Sequence, residues 1–120
     1  MTTELYPIEH AAIEAIIRQY PSLANALAVQ LEKAHVTGRR NTGAGFYTNL
    51  HVADDAPLAS TASPIGDPFA SVEGLEHGMG FLLTVRDGKM ACLEGYSFED
   101  YARPIEFETV TFSITDGTML

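Results

Sequence analysis

Gly80-Phe-Leu-Leu-Thr-Val-Arg86, then Asp87-Gly88, then Lys89-Met-Ala-Cys-Leu-Glu-Gly-Tyr96: two β-rich runs meet at a two-residue Asp-Gly link, and this stretch decides the fold. Both central positions of the tight hairpin turn need positive φ, which Asp and Gly tolerate, so the link predicts a type I′ turn. Counting outward from it pairs Val85 with Met90, Leu83 with Cys92 and Phe81 with Glu94 on one side. Leu82 with Leu93, Thr84 with Ala91 and Gly80 with Gly95 fall on the other. Alternation then puts Val85, Leu83, Met90 and Cys92 toward the core. The second face is also largely apolar, which marks a central hairpin or one covered by a partner chain.

Upstream, Phe46-Tyr-Thr-Asn-Leu-His-Val52 alternates strictly. Phe46, Thr48, Leu50 and Val52 share one face; Tyr47, Asn49 and His51 share the other. Before it, Thr37-Gly-Arg-Arg-Asn-Thr-Gly-Ala-Gly45 predicts a strand reversing near Asn41 to Gly43. Residues 53–68 are small, polar and proline-studded, and read as a long surface loop over a cleft. Residues 69–76 supply a short strand or edge segment. Downstream, Ser97 to Arg103 reads as one helical turn halted by Pro104, and Ile105 to Ile114 as a final strand.

Two helices precede the sheet. Pro7 suits a first helical turn, and Ile8, Ala12, Ile13, Ile16, Ile17 and Tyr20 form an apolar stripe that Pro21 ends. Ser22 is the expected N-cap of a second helix. Leu23, Leu27 and Leu31 line that helix, and Lys33 and His35 close it. The expectation is one α+β domain over residues 1–120, two N-terminal helices on a four- or five-stranded antiparallel sheet.

Composition narrows the function classes. Seven basic against sixteen acidic residues give a net charge of −9, a field that repels nucleic acid and anionic membranes. The apolar runs are far shorter than the roughly 20 residues of a membrane span. Without a basic, apolar leader the expected location is the cytoplasm. Cys92 is the sole cysteine, so no intrachain disulfide or multi-cysteine metal site can form.

Glu94 is the residue of greatest interest, because the counted register sets its carboxylate among apolar side chains, where an unpaired charge is costly. Arg39-Arg40 is the nearest basic reservoir, with Tyr47, His51 and Tyr96 around the same sheet end. Arg40, Tyr47, His51, Glu94 and Tyr96 are the candidate ligand-binding residues; the alternative is a rim glutamate paired with arginine or water. The glycine-rich stretch after Arg40 could hold an anion on backbone amides, but it lacks the Lys-Ser/Thr ending of a phosphate loop. The four histidines show no His-x-x-x-His spacing, and His51 beside Asp54 and Asp55 falls short of the three or four ligands of a zinc site. No metal and no cofactor is expected.

Arg40-Asn-Thr-Gly-Ala-Gly-Phe-Tyr-Thr48 and Asp87-Gly-Lys-Met-Ala-Cys-Leu-Glu-Gly-Tyr-Ser97 resemble stretches of a group of small bacterial proteins of unknown function, written R-x-T-G-x-G-F-Y/F-T and D-G-x-x-x-x-L-E-G-Y. The resemblance covers about residues 35–98 and implies a hairpin-rich sheet in a bacterial cytosolic protein. It brings no activity and no catalytic residues. Some such small acidic proteins resemble immunity proteins that neutralise secreted toxins.

The leading expectation is a non-enzymatic binding protein, a homodimer, working through the sheet end at Arg40, Tyr47, Glu94 and Tyr96, with a basic protein or a small anionic ligand as possible partners. The rival is a small enzyme in which Glu94 is the general base and Arg40 holds an anionic substrate.

Overall fold

The computed structural model describes residues 4–43, 45–98 and 104–115. Two helices lie on one face of a six-stranded antiparallel sheet, an α+β fold with more strands than the four or five expected. In chain order the elements are α1 (Pro7–Gln19), α2 (Ala24–Glu32), β1 (Ala34–Asn41), β2 (Phe46–Val52), β3 (Phe69–Val72), β4 (Met79–Arg86), β5 (Lys89–Ser97) and β6 (Phe112–Thr115). Across the sheet they run β1-β2-β5-β4-β3-β6, so the Asp-Gly hairpin is central, as its apolar faces predict. No helix among the described residues is long and apolar enough to cross a membrane.

The α1 stripe packs as expected, with Ile8, Ala12, Ile13 and Ile16 fully buried. Against them lie Phe81, Leu83, Met90 and Leu93 of the hairpin, and Phe46 and Val52 of β2. Each such buried side chain contributes about 1.5–3 kcal/mol of apolar transfer energy. The second helix starts later than expected. Pro21–Leu23 forms a single 3₁₀ turn, Leu23 takes the capping position without a side-chain bond, and Ser22 caps nothing. His35, expected to end this helix, already belongs to β1.

The hairpin carries the main correction. Its turn is where the sequence puts it, with φ of 54° at Asp87 and 78° at Gly88. Val85 pairs with Met90 as counted, but the next pair is Thr84 with Cys92. Ala91 is an extra residue, a β-bulge, and beyond it every partner moves by one. Leu83 therefore faces Leu93, Leu82 faces Glu94, and Phe81 faces Gly95. Leu93 enters the core, and Cys92 and Glu94 turn to the opposite face. Two side chains hold backbone amides beside the bulge: Ser63 Oγ accepts from Val85 N–H at 2.9 Å, and Gln30 Oε1 from Met90 N–H at 2.9 Å.

The 53–68 segment is no free loop over a cleft. Beyond Gly80, β4 has no β3 partner, and Ile65 fills that edge by exchanging backbone hydrogen bonds with Leu83, both 2.9 Å. Ala59 N–H reaches Gly88 O at 2.8 Å, Tyr20 Oη accepts from Gly66 N–H at 3.0 Å, and Ala56, Ala59 and Ile65 are buried. At the C-terminal end the expected ten-residue strand is shorter: residues 107–109 form a turn and only Phe112–Thr115 pairs, with β3. Ser97 ends β5, and residues 99–103 of the expected helical turn lie outside the described residues.

Candidate functional site

Helix-side polar chemistry centres on Glu9, which the sequence reading passed over. Glu9 is 1% exposed. Its carboxylate accepts from Arg39 Nε at 2.9 Å, Arg39 Nη2 at 2.8 Å, Tyr6 N–H at 2.7 Å and the Thr48 hydroxyl. The Arg39 guanidinium lies 3.5 Å from the Tyr6 ring centre, a cation–π contact. Bonding to Glu9 holds the Arg39 proton more firmly than in free arginine. Every oxygen is satisfied, and a position near the α1 N-terminus also favours the negative charge. The node ties α1 to β1 and β2, and a cleft of about 230 Å³ beside it is lined by Tyr6, Arg39, Arg40, Glu106 and Glu108 among others. Position 9 does carry a sequence signal, since it lies three and four residues before Ala12 and Ile13 on the same helical face.

Gln30 is the second buried polar anchor, fully enclosed. Its amide donates to Pro57 O and Gly88 O, both at 2.8 Å, and its carbonyl accepts from Met90 N–H. One side chain thereby joins α2, the 53–68 segment and the hairpin tip. Neither anchor leaves a polar atom free: among the described residues no buried side-chain N or O lacks a partner.

The five expected site residues all stand on the other face, the one the helices leave uncovered. Arg40 pairs with Tyr47 across β1 and β2, Tyr47 with Glu94 across β2 and β5, and Glu94 with Leu82 across β5 and β4. Arg40, Tyr47, Glu94 and Leu82 therefore form one row across four strands. Tyr96 stands in the next row opposite Gly80, and its ring lies across that glycine, where a Cβ would meet the Tyr96 hydroxyl at 2.6 Å. The Phe98 ring meets Tyr96 edge-on at 5.6 Å and stacks on Phe69 at 6.1 Å. Tyr47, Phe69 and Phe98 are 39%, 38% and 56% exposed.

The structure brings three of the five together at one notch and leaves Arg40 and His51 apart from it. Tyr47, Glu94 and Tyr96 border a notch of about 270 Å³ at the sheet end, with Thr42 and Gly45 beside them. Arg40 adjoins Tyr47 on its far side, so it shares the row without meeting Glu94. His51 is four residues along β2, about 13 Å away at strand rise. It pairs with His35, ring centres 5.2 Å apart, and lines a separate cleft with Asp54 and Lys89. Lys89 Nζ bonds the Asp54 carboxylate at 3.0 Å and holds its pKa below the usual range. Among the described residues no three His, Cys, Asp or Glu side chains converge as metal ligands.

Electrostatics sets this face apart. Of the sixteen acidic residues, Glu94 is the only one on a described strand. The face also presents Arg40, Arg86, His35 and His51, so it lacks the acidity of the rest of the molecule. Cys92, two residues before Glu94, is half-buried; burial pushes its thiol pKa up, and the Glu94 charge adds to the effect. A thiol so shifted is a weak nucleophile at neutral pH.

No family model, no curated protein and no solved structure matches the chain.

Proposed function

We propose that this chain is a non-enzymatic interaction protein that self-associates through the uncovered face of its sheet. The observation that carries the reading is the asymmetry of the two faces. Both helices and the 53–68 segment pack on the helix side or along the β4 edge. Among the described residues of the strands on the opposite face none with a side chain is buried, and exposed Tyr47, Phe69 and Phe98 stand there with one strand carboxylate, Glu94. Protein interfaces are enriched in aromatics and arginine and depleted in acids, and this surface has that composition within a molecule of net charge −9. The separation of Arg40 from Glu94 by Tyr47 gives no shared pocket in which one could hold a substrate for the other.

Sedimentation velocity over a concentration series tests the reading. The wild type is expected to shift from monomer to dimer, and Tyr47→Asp to remain monomeric while unfolding at the same temperature as wild-type monomer. A wild type that sediments as monomer at every concentration contradicts it.

A further inference from the structure

We infer that the second copy docks by an exchange of charges, Arg40 of each chain entering the notch of the other to meet Glu94. This rests on the reading that the uncovered face is the working surface, and it fixes how two copies sit on one another.

Three observations lead there. Arg40 and Glu94 flank Tyr47 in a single row, one strand to either side. Neighbouring strands lie about 4.8 Å apart, so the two backbones are roughly 10 Å apart with a tyrosine between them. Neither side chain forms a hydrogen bond or ion pair among the described residues. Glu94 is also half-buried, the only carboxylate on the described strands, and borders a concave notch between two tyrosines. A guanidinium suits such a place, since it bonds a carboxylate through two parallel donors while its plane lies against aromatic rings.

Symmetry supplies the guanidinium. A two-fold axis lying between two facing sheets and running along β2 through Tyr47 exchanges the strands on its two sides. Under that operation Arg40 of the second copy comes to lie over Glu94 of the first, and the reciprocal contact forms by the same rotation. Tyr47 then meets its own counterpart. Facing sheets pack about 10 Å apart, a gap that an arginine and a glutamate together span. Three strands of each copy, β1, β2 and β5, overlap in this arrangement. The contact is therefore near the low end of specific interfaces, on the order of 1,000 Å² in total, and its Kd is expected in the micromolar range.

Sedimentation equilibrium of the full chain decides it, using wild type, Arg40→Glu, Glu94→Arg and the doubly exchanged variant carrying both. Each single exchange sets like charges against each other and is expected to raise the dimer Kd about tenfold or more, the equivalent of about 1.4 kcal/mol. The double exchange is expected to return it close to wild type, because the pair is restored in reverse. Thermal unfolding by circular dichroism, at concentrations where every variant is monomeric, reports whether the exposed substitutions leave the fold intact. If single exchanges dimerise as wild type does while Tyr47→Asp does not, the charge exchange is wrong and the face remains the interface. If the wild type never dimerises, both readings fall.

Discussion

The two faces of the sheet treat charge in opposite ways. On the helix side, Glu9 is buried and every lone pair is used, by Arg39, Thr48 and the Tyr6 amide. On the uncovered side, Glu94 is half-exposed and its carboxylate has no partner among the described residues. Adjacent residues of one strand, Arg39 and Arg40, are divided between the two: Arg39 faces Thr48 and Glu9, Arg40 faces Tyr47. A charge committed inside a core costs stability when disturbed, whereas a charge left unpaired on a surface is available to another molecule. Glu9 is bound into the fold on every side, and Glu94 is not.

Removing the helix-side charge should break the contrast most visibly. Glu9→Ala takes the counter-charge from a largely buried Arg39, leaving it only the Glu4 carbonyl and the Tyr6 ring, and is expected to lower unfolding free energy by about 3 kcal/mol, read by urea denaturation. Glu94→Ala in the same assay should change it by less than about 0.5 kcal/mol, as surface substitutions do. Equal losses for the two would erase the distinction. Gln30→Ala comes next, because it strands Pro57 O and Met90 N–H and leaves Gly88 O to the Ala59 amide alone. A loss of about 2 kcal/mol is expected, with faster amide exchange at the hairpin tip if that side chain is what joins it to α2.

The gentlest probe is Cys92, which shares the uncovered face with Glu94. Its raised pKa leaves less thiolate at pH 8 than a free cysteine has, so iodoacetamide should react more slowly in the folded monomer. The deficit should shrink as pH rises toward the shifted pKa. Modification only after unfolding would mean the face is covered, and modification as fast as in denaturant would mean Cys92 is not half-buried at all.

Much of this was legible in residues near one another. The Asp87-Gly88 turn, the alternation of β2 and the α1 stripe are local patterns, and each forms where its period says it should. The bulge was half-legible: Met90 and Leu93 are both large and apolar yet three apart, a spacing that strict alternation cannot put on one face. An inserted residue between them resolves the conflict, and Ala91 is the small residue that takes that place. The sequence therefore named Glu94 for the wrong reason. It is of interest because it stands outside the core as the one acidic residue on the described strands.

By itself the chain determined its helices, its turns and the class of its fold, because propensity, periodicity and turn chemistry act over a few residues. Tertiary structure alone decided which of two adjacent arginines goes inward, where the 53–68 segment lies, and which side of the sheet Glu94 faces. Those outcomes depend on bonds between residues 22 to 60 positions apart, such as Ser63 to Val85, Arg39 to Glu9 and Gln30 to Met90. A single inserted residue then reverses the face of everything beyond it, so a short-range pattern is not enough to fix a long-range site.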